Sequence, residues 1–349
     1  MSIVTLQRTG RRFTVGADET VLEAAQRAGV ALPYSCRAGV CGSCKATLLA
    51  GQCGYPRNPP LALDAGELAQ HAILPCQAVP TTDLLLEARE VPSVEDIARR
   101  ELSVRVVEKW PLAPNVTGLR LLPVAGEARL RWLPGQYLDV VLDDGRRRPF
   151  SIANGPRRDG LIELHVRHVA GGGFTSEVAE RLAVGDTLRI DAPLGTFVAR
   201  EDSERPMIFM AGGTGIAPVK AVVEHFLALG TRRAMTVYWG VRHLADLYLA
   251  ALIDQWLHRS RHLRFHAVLS EGEAEPPLRR GLVHAAVLAD YPDLSAHDVY
   301  MSGPPAMIET ARRQFIAAGL PEERLYYDSF EYAPDVLAKL IARRAGFHP

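Results

Sequence analysis

A chain of 349 residues has room for two or three domains at roughly 150 residues each. Apolar residues make up 48% and charged residues 23%, ordinary globular values. With 40 basic against 40 acidic residues the formal net charge is +0, which argues against a nucleic-acid binder. No run of about 18 apolar residues marks a membrane span, and residues 1–10 carry no apolar signal core, so a cytoplasmic chain is expected.

In chain order, 2–6 and 12–15 read as a hairpin turning at Thr9-Gly10. Glu19 to Ala28 reads as a helix with Asp18 as N-cap and Gly29 as the stop beyond it. All five cysteines follow within the first 90 residues, and such clustering in a cytosolic-looking chain reads as metal or redox chemistry before disulfides. A hairpin, a helix and then a cysteine loop fit a β-grasp domain over 1–90. The charged stretch EAREVPSVEDIARRE reads as a linker, with 91–101 as its working bounds. From 102 to 203 short β-rich runs are separated by Gly and Pro, the texture of an antiparallel sheet or barrel. From 204 to 335 strand-like runs such as MIFMAG and DVYMSG alternate with helical ones, an α/β pattern with a parallel sheet. Residues 336–349 form a tail.

The strongest motif is Cys36-x4-Cys41-x2-Cys44 with Cys76 far downstream, the spacing of a plant-type [2Fe-2S] site. Three thiolates come from one tight loop and the fourth from elsewhere, while Gly39 and Gly42 let backbone N–H groups approach sulfur. Zinc also accepts four cysteines, but its sites usually show two C-x2-C knuckles, and only Cys41/Cys44 is such a pair. Cys53 is left over and reads as a small, inert residue. The segment PYSCRAGVCGSCKATLLAGQ resembles the ferredoxin domain of bacterial electron-transfer reductases.

Arg148-Pro149-Phe150-Ser151, then His165-Val166-Arg167 and Gly172-Gly173-Phe174-Thr175-Ser176, are weak signals singly. A basic patch and an ordinary glycine loop would account for them. In order and spacing they resemble the flavin motifs of the ferredoxin-NADP reductase superfamily. The resemblance implies FAD on a β-barrel, with Arg148 forking onto a pyrophosphate oxygen, Phe150 stacking on the ring and Ser151 near the hydride-accepting nitrogen. Phe150 stands where Tyr is commoner, and Gly173 where relatives carry a bulkier basic residue. His165 and His168 receive no proton role.

Ala211-Gly212-Gly213-Thr214-Gly215-Ile216-Ala217-Pro218 follows a strand and opens a helix. Its glycines admit a pyrophosphate and the helix start offers free N–H donors. Pro218 suits a first helical turn. The GGTGIAP form is that of the same superfamily. Ser302-Gly303-Pro304, with Met307 beyond, stands where relatives have Cys-Gly-Pro, so the resemblance places Ser302 at the nicotinamide. Phe330, near the end of YYDSF, is a candidate flavin shield, or else a core aromatic. Arg242, after the second strand of this region, alone suggests NADPH, whereas relatives with a similar stretch often use NADH, which is favoured here.

Taken together the chain resembles three-domain reductase components of bacterial multicomponent oxygenases, and also CDP-6-deoxy-glucoseen reductase-type proteins. The resemblance implies hydride transfer from NADH (or NADPH) to FAD, then single electrons through the [2Fe-2S] cluster to a separate protein. That acceptor would be an oxygenase component, or the dehydrase of deoxysugar synthesis. A slow redox-sensing flavoprotein is the alternative from a different class.

Overall fold

The computed structural model describes residues 1–330 other than 92, 93, 95, 96, 128, 169–172 and 272–277. Gly172 and the expected tail lie outside the described residues. The chain divides into two compact units, residues 1–96 with 328–349, and residues 97–327.

In the first unit Ser2–Leu6 and Arg12–Val15 pair antiparallel, and the turn between them needs Gly10 at φ +70°. The helix runs Val21–Arg27, and its N-cap is Thr20, not Asp18. The Thr20 hydroxyl accepts from the Glu23 N–H at 3.2 Å, while the Glu23 carboxylate accepts from the Thr20 N–H at 2.9 Å. This reciprocal box satisfies two donors that Asp18, two residues earlier, would leave open. Val21, Leu22, Ala24 and Ala25 are buried. The sheet runs in the order Arg12–Val15, Ser2–Leu6, Leu84–Glu87, Ala46–Ala50, Ala72–Ile73. Ser2–Leu6 and Leu84–Glu87 pair parallel and the other pairs are antiparallel. A helix with such a mixed sheet is the expected β-grasp fold. The stretch after Glu87 is less free than its charge suggests. Val91 is buried and donates its N–H to the Ala31 carbonyl at 2.8 Å, and Glu90 pairs with Arg11 at 3.2 Å.

The second unit opens with six antiparallel strands in the order Arg147–Ser151, Tyr137–Val141, Thr187–Leu194, Arg100–Ala113, Val116–Pro123, Ile162–Arg167. A bridge between Ile152 and Leu164 joins the two outer strands and closes the barrel. Alternation turns Leu102, Val104, Val106, Leu138, Val140, Ile162, Leu164 and Val166 into one core. On the same strand Glu163, His165 and Arg167 therefore point out of the barrel.

The remaining sheet has the order Arg279–Arg280, Leu263–Leu269, Met235–Val241, Met207–Gly212, Asp298–Gly303, Leu325–Ser329. From Arg279–Arg280 through Asp298–Gly303 the neighbouring strands pair parallel. Phe209, Val237 and Trp239 enter one core, and Ile208, Met210 and Tyr238 enter the other. Both faces are thus covered, as a parallel sheet requires. Chain order reverses between Met207–Gly212 and Asp298–Gly303, and ligands of open α/β sheets bind at the carboxyl ends of strands at such a switch point.

Candidate functional site

The cysteine loop bends through three left-handed residues, Arg37 (φ 53°), Gly39 (φ 77°) and Gly42 (φ 76°). It is braced from the distant turn that carries the fourth cysteine: Gln77, next to Cys76, donates its Nε2 to the Arg37 carbonyl at 2.6 Å. A Cβ on Gly39 would stand 3.0 Å from the Gln77 side chain and 3.2 Å from the Pro59 carbonyl oxygen, so the loop has no room for another residue there. The four thiols gather together, Cys36 hydrogen-bonded with Cys41 and Cys44 with Cys76, while Cys76 also acts on Cys36 and Cys41 on Cys44. The hydrogen bond from Cys36 holds the Cys41 thiol down to about 6 and pushes Cys36 well up. Four thiols gathered in this way are the donor set that a [2Fe-2S] cluster takes. The Ala38 N–H donates to Cys36 Sγ at 3.4 Å, and Ser43 Oγ lies 3.5 Å from Cys41 Sγ, the kind of contact that tunes a thiolate ligand. Cys53 stands apart in a short ladder opposite Pro80, and burial raises its thiol. In the same unit Ser35 donates to Asp328 Oδ1 at 2.8 Å and accepts from the Ser329 N–H at 3.0 Å. The residue before Cys36 is thereby tied to the residue before half-buried Phe330.

On the barrel, three successive arginines have different fates. Arg146 pairs with Asp144 at 2.5 Å. Arg147 binds Glu101 at 2.5 Å and also the buried carboxylate of Asp191. Arg148 makes no salt bridge among the described residues; it donates from Nη1 to the Arg147 carbonyl at 3.0 Å, and its charge helps hold the Asp144 carboxyl down. Pro149, Phe150 and Ser151 follow on the same strand, half-buried, with Ser151 opposite Tyr137. Val166 is core, so only its backbone can face a ligand. Arg167 points outward, and its Nε is buried without a partner among the described residues. Its guanidinium occupies the space above Gly213, where a Cβ would lie 3.0 Å from Nη2. Thr175 and Ser176 are in the first turns of the helix that Gly173 opens, Gly173–Glu180.

His165, expected among the flavin residues, has its side chain committed elsewhere. It is fully buried, with Nε2 3.0 Å from Glu163 and Nδ1 3.2 Å from the Tyr248 hydroxyl. Burial lowers the imidazole against the Glu163 carboxylate, which favours its charged form. The neutral ring thus donates from Nε2 to the carboxylate and accepts at Nδ1 from Tyr248, which burial holds in the protonated form. Burial alone would raise Glu163, but the His165 bond and the Lys220 charge hold it down at about 2. Lys220 completes the group, 3.3 Å from Glu163, 3.1 Å from Glu224 and 2.9 Å from the Ala153 carbonyl oxygen. Sequence reasoning missed Lys220, although a lysine inside IAPVKAVV was a visible signal.

The nucleotide turn is built by close approach. A 3-10 turn, Gly213–Gly215, leads into the helix Ile216–Ala228, with Pro218 in its first turn. Thr214 is half-buried there. Trp239 donates its indole N–H to the Gly213 carbonyl at 2.8 Å. A Cβ on Gly215 would stand 2.2 Å from the Ser302 carbonyl oxygen, so the two turns touch through backbone. Ser302 is fully buried, pairs in register with Ala211, and its Oγ has no partner among the described residues. Met307 fills the notch left by Gly212 and Gly303, and Pro304 caps the helix Pro305–Ala317. An orphaned hydroxyl and an orphaned guanidinium nitrogen beside a glycine turn fit polar ligands that the protein itself does not supply. Arg242 follows the second strand and is exposed.

Three family models match in chain order: a 2Fe-2S iron-sulfur cluster binding domain over residues 4–81, an oxidoreductase FAD-binding domain over 103–198 and an oxidoreductase NAD-binding domain over 209–313. A CDP-6-deoxy-L-threo-D-glycero-4-hexulose-3-dehydrase reductase of Yersinia pestis is 36% identical, covering 94% of this chain and 98% of its own. The terephthalate 1,2-dioxygenase reductase component 2 of Comamonas sp. is 35% identical over 92% of this chain and 95% of its own. Among solved structures, the Amycolatopsis cytochrome P450 reductase GcoB matches with a TM-score of 0.76 and 32% identity, covering 95% of this chain and 99% of that one.

Proposed function

The chain belongs to the ferredoxin-NADP reductase superfamily, among its [2Fe-2S]/FAD/NAD reductases that serve oxygenases and deoxysugar dehydrases, and from that premise we propose that it uses NADH to reduce the oxygenase component of a multicomponent system. In this reading residues 1–90 carry the cluster, 102–203 the flavin and 204–335 the nucleotide, with 91–101 as the link and 336–349 as a tail. When bound, the flavin takes hydride and the cluster passes on one electron at a time; the chain supplies binding and positioning.

Cys36, Cys41, Cys44 and Cys76 would hold the cluster, and the Gln77 brace keeps their loop in shape. Arg148 and Arg167, with the helix start at Gly173, Thr175 and Ser176, would meet the anionic part of FAD. Phe150 offers a stacking face and Ser151 a hydroxyl beside it. Gly213, Thr214 and Gly215 would let the nucleotide pyrophosphate reach the helix start. Ser302, buried and unpaired, would meet the nicotinamide, with Gly303, Pro304 and Met307 shaping that turn. Phe330 would cover the flavin in the absence of nucleotide.

The observation that most supports this reading is the gathering of the four thiols in a chain that also carries the glycine turn at the switch point. The test is reconstitution. The NADH-reduced protein should support turnover of a terephthalate-type dioxygenase component. Reduction of a deoxysugar dehydrase alone would favour the second reading, for which the 36% identity to the Yersinia protein speaks. Hydroxylation of an aromatic by the chain unaided would sink both.

A further inference from the structure

Cys36 is held from both sides. The residue after it, Arg37, is braced through its carbonyl by Gln77 at 2.6 Å. The residue before it, Ser35, is locked by the end of a strand from the other end of the sequence. Leu325–Ser329 ends in Asp328 and Ser329, which belong to the same compact unit as the cysteine loop. A serine hydroxyl has one proton to give. Ser35 gives it to Asp328 Oδ1 at 2.8 Å, in preference to the Ser329 carbonyl oxygen at 3.2 Å. The same hydroxyl accepts from the Ser329 N–H at 3.0 Å. Ser35, Asp328 and Ser329 are all buried.

Along the chain Ser35 and Ser329 are 294 residues apart. Through the lock, one hydrogen bond separates the neighbour of Cys36 from the neighbour of half-buried Phe330. We propose that Ser35 and Asp328 are positioning residues for the electron's passage from flavin to cluster, an inference that rests on the reading above in which Phe330 covers the flavin. A hydroxyl given to a carboxylate makes a bond about twice as strong as a neutral one, and a buried site keeps water from replacing either partner. The Ser329 N–H holds the hydroxyl from its other side, so the side chain cannot turn away. The Cys36 end of the loop is thereby fixed to the segment that carries Phe330. Electron transfer weakens steeply as the gap between donor and acceptor opens, and it is carried better through bonds than across gaps. Hydride transfer to the flavin does not cross this lock. Loosening it should therefore slow the second step and spare the first.

The experiment is anaerobic stopped-flow reduction of the full holoprotein by NADH, with flavin and cluster followed separately by absorption. Ser35→Ala should slow cluster reduction by about tenfold or more while flavin bleaching and ferricyanide reduction stay within about twofold of native. The EPR spectrum of the dithionite-reduced cluster should be unchanged, which separates misplacement from damage. Ser35→Thr, which keeps the hydroxyl, should restore the rate. Asp328→Ala should match Ser35→Ala, and the double variant should be no slower than either. A second readout needs no turnover: deuterium exchange at the Ser329 N–H should be slow in the native protein and about tenfold faster or more in Ser35→Ala. Should Ser35→Ala lose its cluster, Asp328→Ala decides by the same measure, since it leaves the cysteine loop's own sequence intact. Cluster reduction within about twofold of native in the variant that keeps its cluster would overturn the proposal, as would an unprotected Ser329 N–H in the native protein. If NADH bleaches no flavin, or the native protein shows no cluster signal, the functional reading itself fails and the inference with it.

Discussion

Lys220 donates to the carbonyl oxygen of Ala153 at 2.9 Å, joining the nucleotide helix to the chain just past Ser151. Its ammonium is buried, and Glu163 and Glu224 balance it. Lys220→Met would leave Glu163 buried beside a neutral stem. Breaking a buried pair from one side costs about 3–5 kcal/mol, and urea unfolding should show a loss of that size. Glu163→Gln with Lys220→Met together should cost less than the two added.

The same pair sets an acid response. Glu163 is held at about 2 against an ordinary 4.5. A depressed carboxylate stabilises the fold above its unfolded value and loses that contribution as pH falls through the folded one. The native protein should therefore lose stability between about pH 4.5 and 2 more steeply than Glu163→Gln does. Denaturation curves across that range check this, and parallel slopes for the two proteins would contradict it.

Arg147 and Arg148 should part company on mutation. Arg148→Ala should weaken FAD binding by about tenfold to a hundredfold, the worth of a charge-assisted hydrogen bond, with stability of the apoprotein little changed. Arg147→Ala should do the reverse, because it removes a partner of buried Asp191. Flavin fluorescence titration and thermal unfolding of both variants separate the two roles.

Cys76→Ser should lose the cluster and the one-electron output to cytochrome c, while ferricyanide reduction by the flavin persists. Cys53→Ser should change neither, since its thiol belongs to neither pair. Loss of cluster colour in that variant would overturn the ligand assignment.

Gly215→Ala would press a methyl group to 2.2 Å from the Ser302 carbonyl oxygen. That atom is backbone and cannot swing away, so the two turns must separate. A loss of about 1–3 kcal/mol is expected, with a rise in the KM for NADH.

Much of this was legible because strand periodicity and motif spacing are local. The inward alternation of Leu102, Val104 and Val106 and the glycine turn at Gly213 both come from neighbours in sequence. The capping box of Thr20 and Glu23 was equally local, but Asp18 drew the reading away from it. What could not be read is what depends on the fold bringing distant residues together. Nothing in RRRPFS says that Asp191 takes Arg147 and not Arg148. Nothing near Cys36 says that a strand from the other end of the sequence delivers Asp328 beside Ser35. His165 shows the same limit: nothing in its motif says that Glu163 and Tyr248 take its ring nitrogens.

The central claim is one path from NADH through flavin to the cluster in a single chain. An anaerobic NADH titration followed by visible absorption and EPR tests it most directly. The account predicts flavin bleaching together with a rhombic [2Fe-2S] signal. Bleaching of the flavin with no EPR signal from the cluster, however much NADH is added, would contradict it.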